Sequence, residues 1–236
     1  MSADPADPDY HLSMPEHRAT QDASSPATPP AQTPLPPLPR QLLVTPDVAS
    51  RTQIAGFASQ LAQALARGIR LVQLRNRSLD ADGYRALAES ALALTHAAGA
   101  KLILNPPPSV ADLWLDAPNG VHASTVPQAD GWHLTSARLM TCQSRPAGWK
   151  LVSAACHDAA QVERATRLGL DFITLSPVLV TATHPDAKPL GWPAFTALAA
   201  QTSLPVFALG GMRADALTSA RNAGAYGIAA IRALWP

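Results

Sequence analysis

Cysteine is scarce: Cys142 and Cys156 are the two in 236 residues. They show no metal-ligand spacing and are too few for a disulfide framework, so a cytoplasmic protein is expected. Surplus charge is missing as well. Eighteen Lys and Arg against seventeen Asp and Glu leave a formal charge of +1, which argues against nucleic acid or a membrane surface as partner. No apolar run reaches membrane-spanning length. The opening "MSADPADPDYHLSMPEHRAT" has no apolar core, so no secretory signal is expected. No G-x-G-x-x-G follows the first strand-like run, which removes the strongest sign of a dinucleotide-binding sheet.

Proline is plentiful but unevenly placed. Ten of the 23 fall in residues 1–40, ending in "PATPPAQTPLPPLPR". Proline fixes φ, removes donors and offers little surface to bury. Residues 1–40 therefore read as a disordered or polyproline-like tail or linker, and 41–236 as the folded domain.

From Gln41 onward short apolar runs recur: "QLLVT" (41–45), "LVQLR" (71–75), "KLILN" (101–105), "KLVSA" (150–154), "FITLS" (172–176), "PVFAL" (205–209) and "GIAAI" (227–231). Helical stripes lie between them. Ile54, Phe57, Ala58, Leu61 and Leu65 share one face, as do Leu87, Ala91 and Leu94. Strands buried on both faces and alternating with amphipathic helices make a parallel α/β architecture. The gap from 105 to 150 leaves room for an eighth strand, at 119–124 or at 130–136. Eight such units favour a (β/α)8 TIM barrel, with a doubly wound sheet as the alternative. The chain stops five residues after Ile231, so the last helix is truncated; its bare flank could be covered by the tail or by a second copy in a homo-oligomer.

In a barrel, function gathers at the C-terminal ends of the strands. Those ends carry Gln73, Arg75 and Arg77, then Asn105, then His157, then Thr181, Thr183 and His184, then Gly210-Gly211, then Ile231 and Arg232. Hydroxyls after strand 6 with backbone amides after strands 7 and 8 make a cup of neutral donors suited to a phosphate. Arg75 and Arg77 either hold a second anionic group or pair with surface carboxylates. The paired glycines serve either a tight turn or a close approach to the backbone.

The segments "LVQLRNR", "KLILN", "GWHLTSARL", "CHDAAQVERATRLGLDFITLSPVLVTATHP", "PLGW", "PVFALGGM" and "AGAYGIAAIRAL" resemble the thiamine phosphate synthase/TenI superfamily, in order, over residues 41–235. The resemblance implies a thiazole phosphate ligand held by Thr181, Thr183, Gly211, Ile231 and Arg232, with Gln73, Arg75, Arg77 and Asn105 as substrate contacts. Gly211→Val is then expected to weaken that binding while leaving the fold intact.

The departures have chemical meaning. Synthases of this family follow the strand-3 Asn with a magnesium-binding Asp, where Pro106 stands here. A second metal Asp after strand 4 is replaced by Arg138 or Pro127, depending on whether Gly131–His133 or Gly120–His122 is the strand-4 motif. No metal ligand is assigned, and Mg²⁺ is expected only if the chain is a synthase. The strand-2 Lys of the family is Arg77, its strand-5 Ser is Ala155, and the Lys after its Thr pair is His184.

Expulsion of pyrophosphate calls for a metal to neutralise the leaving group, whereas a TenI-like thiazole tautomerase needs only a general acid/base. His157 matches the tautomerase histidine; His133 and His122 are weaker candidates that read rather as structural or pocket-lining, and His184 reads as a donor beside the phosphate. The expectation is a metal-free tautomerase, with a thiamine phosphate synthase as one alternative. The other alternative is a non-catalytic phosphate-ligand module of the kind found in the superfamily behind Nudix domains, although no Nudix box is present.

Overall fold

The computed structural model describes residues 37–115, 127–181 and 188–236. Eight strands form a closed parallel barrel: β1 (Gln41–Val44), β2 (Leu71–Arg75), β3 (Lys101–Asn105), β4 (Gly131–Leu134), β5 (Leu151–Cys156), β6 (Phe172–Leu175), β7 (Val206–Leu209) and β8 (Gly227–Ala230). Each strand pairs with its neighbour in sequence. The ring closes where Gln41 meets Ile228 and Leu43 meets Ala230. Among the described residues seven α-helices alternate with the strands: α1 (Ile54–Ala66), α2 (Ala81–Ala97), α3 (Pro108–Leu115), α4 (Ser136–Thr141), α5 (Ala159–Arg167), α6 (Gly191–Ala199) and α7 (Leu217–Asn222). This is the (β/α)8 barrel, and its closure sets aside the doubly wound sheet. The fourth strand comes from the 130–136 stretch; the competing stretch, with Gly120 and His122, lies outside the described residues.

The barrel is held by two apolar layers of different composition. Inside the ring, Leu42, Val44, Leu71, Ile103, Leu151, Phe172, Phe207 and Ala229 pack across the axis. Side chains alternate along each strand, so the next residues face the helices and join a larger cluster between sheet and helices. Phe57, Leu61 and Leu65 of the α1 stripe are buried in that layer, together with Ala64. The interior is apolar at the base and turns polar at the top, where Gln73, Asn105, His133, Ser153, Thr174 and Ser176 are buried. A buried polar layer is costly unless its groups find partners, so its position at the C-terminal mouth points to function.

A single turn follows β8: the N–H groups of Leu234 and Trp235 both donate to the Ile231 carbonyl. The Trp235 ring packs 5.1 Å from Phe57 on α1 and its Nε1–H donates to Gln60. The chain's own last aromatic residue thus covers part of the flank between β8 and α1. At the base, Arg40 donates to the Tyr226 carbonyl at 2.7 Å and lies over the Tyr226 ring, ahead of β8. Among the described residues no helix is long and apolar enough to cross a membrane.

Candidate functional site at the barrel mouth

A cavity of about 920 Å³ opens at the C-terminal ends of the strands, within the range of small-molecule sites. It brings together Gln73, Arg75, Asn105, His157, Thr181, Gly211, Ile231 and Arg232, which come from six different strand ends. Thr183 and His184 lie outside the described residues. Arg77 does not line the cavity; its side chain is 56% exposed and paired with a carboxylate.

That carboxylate is Asp47, three residues beyond β1. Its oxygens take Arg75 Nη1 at 3.3 and 3.4 Å, Arg77 Nε at 3.0 Å and the Arg77 backbone N–H at 3.1 Å. The two arginines therefore differ in role. Arg75 is mostly buried and faces the cavity, while Arg77 braces Asp47 from the solvent side. Thr45 fixes the Arg75 backbone from β1, accepting its N–H at 3.0 Å and donating to its carbonyl at 3.1 Å. The net charge of Asp47, Arg75 and Arg77 is +1, enough to attract one anionic group.

On the next two strands the polar layer is cross-linked. Asn105 Nδ2 donates to Gln73 Oε1 at 3.0 Å, which turns the Asn105 oxygen and the Gln73 amide nitrogen outward. Below them the Tyr84 hydroxyl donates to the Leu74 carbonyl and accepts the Asn105 N–H. His133 on β4 pairs through Nδ1 with Ser153 Oγ at 2.8 Å. Burial, seconded by the nearby Arg75 charge, pushes the His133 pKa down to about 3. It is a neutral pocket wall at physiological pH and no proton shuttle.

A pH dependence of stability follows. An unfolded histidine takes up its proton near pH 6.5, and folded His133 resists until about 3. Its contribution is complete above pH 6.5 and declines by about 1.4 kcal/mol per pH unit below it. In urea denaturation, His133→Gln is expected to show a shallower loss of stability between pH 6.5 and 4.5. Parallel slopes for the two proteins would mean that the ring protonates without leaving the fold.

His157 sits one residue past β5, held in place by the start of α5. Asp158 caps the helix by accepting the Gln161 N–H at 2.9 Å, and the Gln161 side chain reaches back to the His157 N–H at 2.7 Å. The two bonds tie the first turn of α5 to His157, the residue just before its N-cap. The His157 Nδ1 lies 2.7 Å from the Ser176 carbonyl, at the top of β6. A carbonyl only accepts, so Nδ1 carries the proton and the neutral ring keeps its lone pair on Nε2. Behind it, burial and Asp158 push the Cys156 thiol up to about 12, which removes it as a nucleophile.

The loops after β6 and β7 are locked together. Val178 N–H donates to the Leu209 carbonyl and Leu179 N–H to the Gly210 carbonyl. Gly210 and Gly211 have φ of +96° and +69°. A Cβ on Gly211 would stand 2.6 Å from Leu179 Cβ and 2.8 Å from the Val180 carbonyl oxygen. The expectation that Gly211→Val leaves the fold intact is therefore corrected: turn and close approach are both required here, and the approaching backbone is the protein's own.

Sequence reasoning passed over several residues of this mouth. Asp47 was signalled by a carboxylate just past one strand opposite two arginines past the next. Ser176 acts through its carbonyl, for which a sequence holds no sign. Lys188 and Arg213 line the cavity rim from positions whose spacing gave no hint.

Residues 42–234 match the family described as thiamine monophosphate synthase. The chain is similar to the thiamine-phosphate synthase of Roseiflexus castenholzii, 36% identical over 172 residues that cover 72% of this chain and 71% of the relative. It is 31% identical over 194 residues to the thiamine-phosphate synthase of Herpetosiphon aurantiacus, covering 82% and 86%. Among solved structures, a thiamine phosphate pyrophosphorylase from Pyrococcus furiosus superposes with a TM-score of 0.61 at 19% identity, covering 81% of this chain and 85% of that one. At that identity the likeness carries the fold.

Proposed function

Because the chain belongs to the thiamine monophosphate synthase family, we propose that its barrel mouth binds a thiazole phosphate and that His157 moves a proton on it, as in a thiazole tautomerase. The observation that carries the chemistry is the 2.7 Å contact from His157 Nδ1 to the Ser176 carbonyl, which leaves Nε2 as the base. A ligand with a phosphate at one end and a carboxylate at the other suits the cavity. Thr181, the Gly211 amide and the turn at Ile231–Arg232 receive the phosphate, with Lys188 at the rim. Arg75, anchored by Asp47, receives the carboxylate. Nε2 takes a proton from one position of the thiazole unit and returns it at another, so atoms and electrons balance without a co-reactant.

The family's synthases use Mg²⁺, and the residues present do not fit a protein-held metal. Pro106 offers no side-chain ligand. Arg138 places a guanidinium where a carboxylate is needed and is itself 2.8 Å from Asp112. Among the described residues no three His, Cys, Asp or Glu side chains gather into a metal site. No step is routed through a metal.

The second reading is thiamine phosphate synthesis, and the relatives' names favour it over tautomerisation. Cationic Lys188, Arg213 and Arg232 at the rim would then face the departing pyrophosphate. Assaying the full chain for both reactions, with and without Mg²⁺, separates the two. Tautomerisation independent of Mg²⁺ is expected. Mg²⁺-dependent thiamine phosphate formation as the faster reaction would replace this reading with the second, and calorimetry showing no binding of thiazole phosphate would remove both.

A further inference from the structure

The mouth contains one polar group that the assignments above leave unused. Thr174 lies on β6 between Phe172 and Ser176, and side chains two apart on a strand share a face. Phe172 belongs to the barrel interior and Ser176 lines the cavity, so Thr174 faces inward between them. It lines the cavity, is fully buried, and its hydroxyl has no hydrogen-bond partner among the described residues. Buried hydroxyls are nearly always paired, because an unpaired one costs about 1–3 kcal/mol. In register Thr174 sits beside Ala155 on β5 and Phe207 on β7, neither of which offers a side-chain partner.

Its surroundings specify what it can bind. This half of the cavity is lined by apolar Val44, Ala155, Leu209 and Ala229; of the buried polar layer, Gln73, Asn105 and His133 stand on β2 to β4, and Ser153 on β5 is engaged by His133. A phosphate dianion against such a lining would meet a large desolvation cost, whereas the neutral acceptor of a heteroaromatic ring would not. Thr174 and Ser176 are separated by two strand residues, about 6.6 Å. Ser176 is the residue that holds His157.

We propose that the Thr174 hydroxyl donates a hydrogen bond to an acceptor atom on the ligand's ring and so sets which ring edge faces His157. The proposal rests on the reading of this cavity as a thiazole phosphate site. It makes Thr174 a specificity-determining contact for the ring, separate from the phosphate cup.

The test is calorimetry and thermal unfolding of the full chain as wild type, Thr174→Val and Thr174→Ser, with thiazole phosphate and inorganic phosphate as probes. Valine keeps the shape and removes the hydroxyl. It is expected to weaken thiazole phosphate binding about 5- to 100-fold, leave inorganic phosphate unchanged, and leave the Tm of the free protein equal or higher. Serine is expected to restore most of the affinity. Equal thiazole phosphate affinity for wild type and valine overturns the proposal, as does a lower Tm with both probes weakened alike, which would mark a structural hydroxyl. If the wild type binds neither probe, the reading of the cavity falls and this proposal falls with it.

Discussion

Gly211→Val is expected to lower the melting temperature of the barrel by roughly 4–20 °C, before any effect on ligand is counted. The left-handed φ of +69° costs a residue with a side chain about 1–2 kcal/mol, and a β-branched one is the least able to adopt it. The added atoms then press on Leu179 Cβ and the Val180 carbonyl, which are root and backbone atoms and cannot rotate away. Overpacking of this kind adds about 1–3 kcal/mol. The sum, about 2–5 kcal/mol, converts to that shift for a domain of this size. Differential scanning calorimetry checks it. A melting temperature equal to wild type, with phosphate binding lost, would mean that the glycine serves the anion alone and that the loop yields freely.

On the proposed tautomerase function, His157→Gln is expected to cut turnover by about 100- to 10,000-fold, the usual share of a general acid/base. Glutamine keeps a polar head on the same backbone, still held by Gln161, but cannot carry a proton from one ligand atom to another. The side chain is at the cavity rim and outside both apolar layers, so the fold and the thiazole phosphate Kd should change little. The decisive reading is therefore kcat against Kd. A kcat within tenfold of wild type would take His157 out of the proton path, while a Kd raised with kcat intact would make it a binding group.

The barrel was legible in the sequence because each strand is buried on both faces and reads as an unbroken run. "LVQLR" and "KLILN" coincide with β2 and β3 residue for residue. The fourth strand was ambiguous for a physical reason: four residues with a single glycine and a buried histidine carry little periodicity. Strand ends located Gln73, Arg75, Asn105, His157 and Gly211, since topology alone delivers those positions to one mouth. Side-chain partnership was not legible. That Arg77 turns away to Asp47 while Arg75 turns inward depends on a carboxylate 28 to 30 residues distant, and the identical charge of the two arginines hides it. His133 read from the sequence as structural or pocket-lining, and it is a buried residue of the cavity wall.

The interlocked loops after β6 and β7 also give the site a mechanical property. Ser176, which steers His157, is followed at once by Pro177, against whose Cα Gly210 is packed. Gly211, the next residue, rests on Leu179 and Val180. The proposed anion end and the proposed proton-transfer end thus share one pair of hydrogen-bonded loops. On the proposed function, a ligand shorn of its phosphate is expected to lose more than a handhold: it no longer braces the loops that aim the imidazole, so the penalty should fall on turnover as well as on affinity.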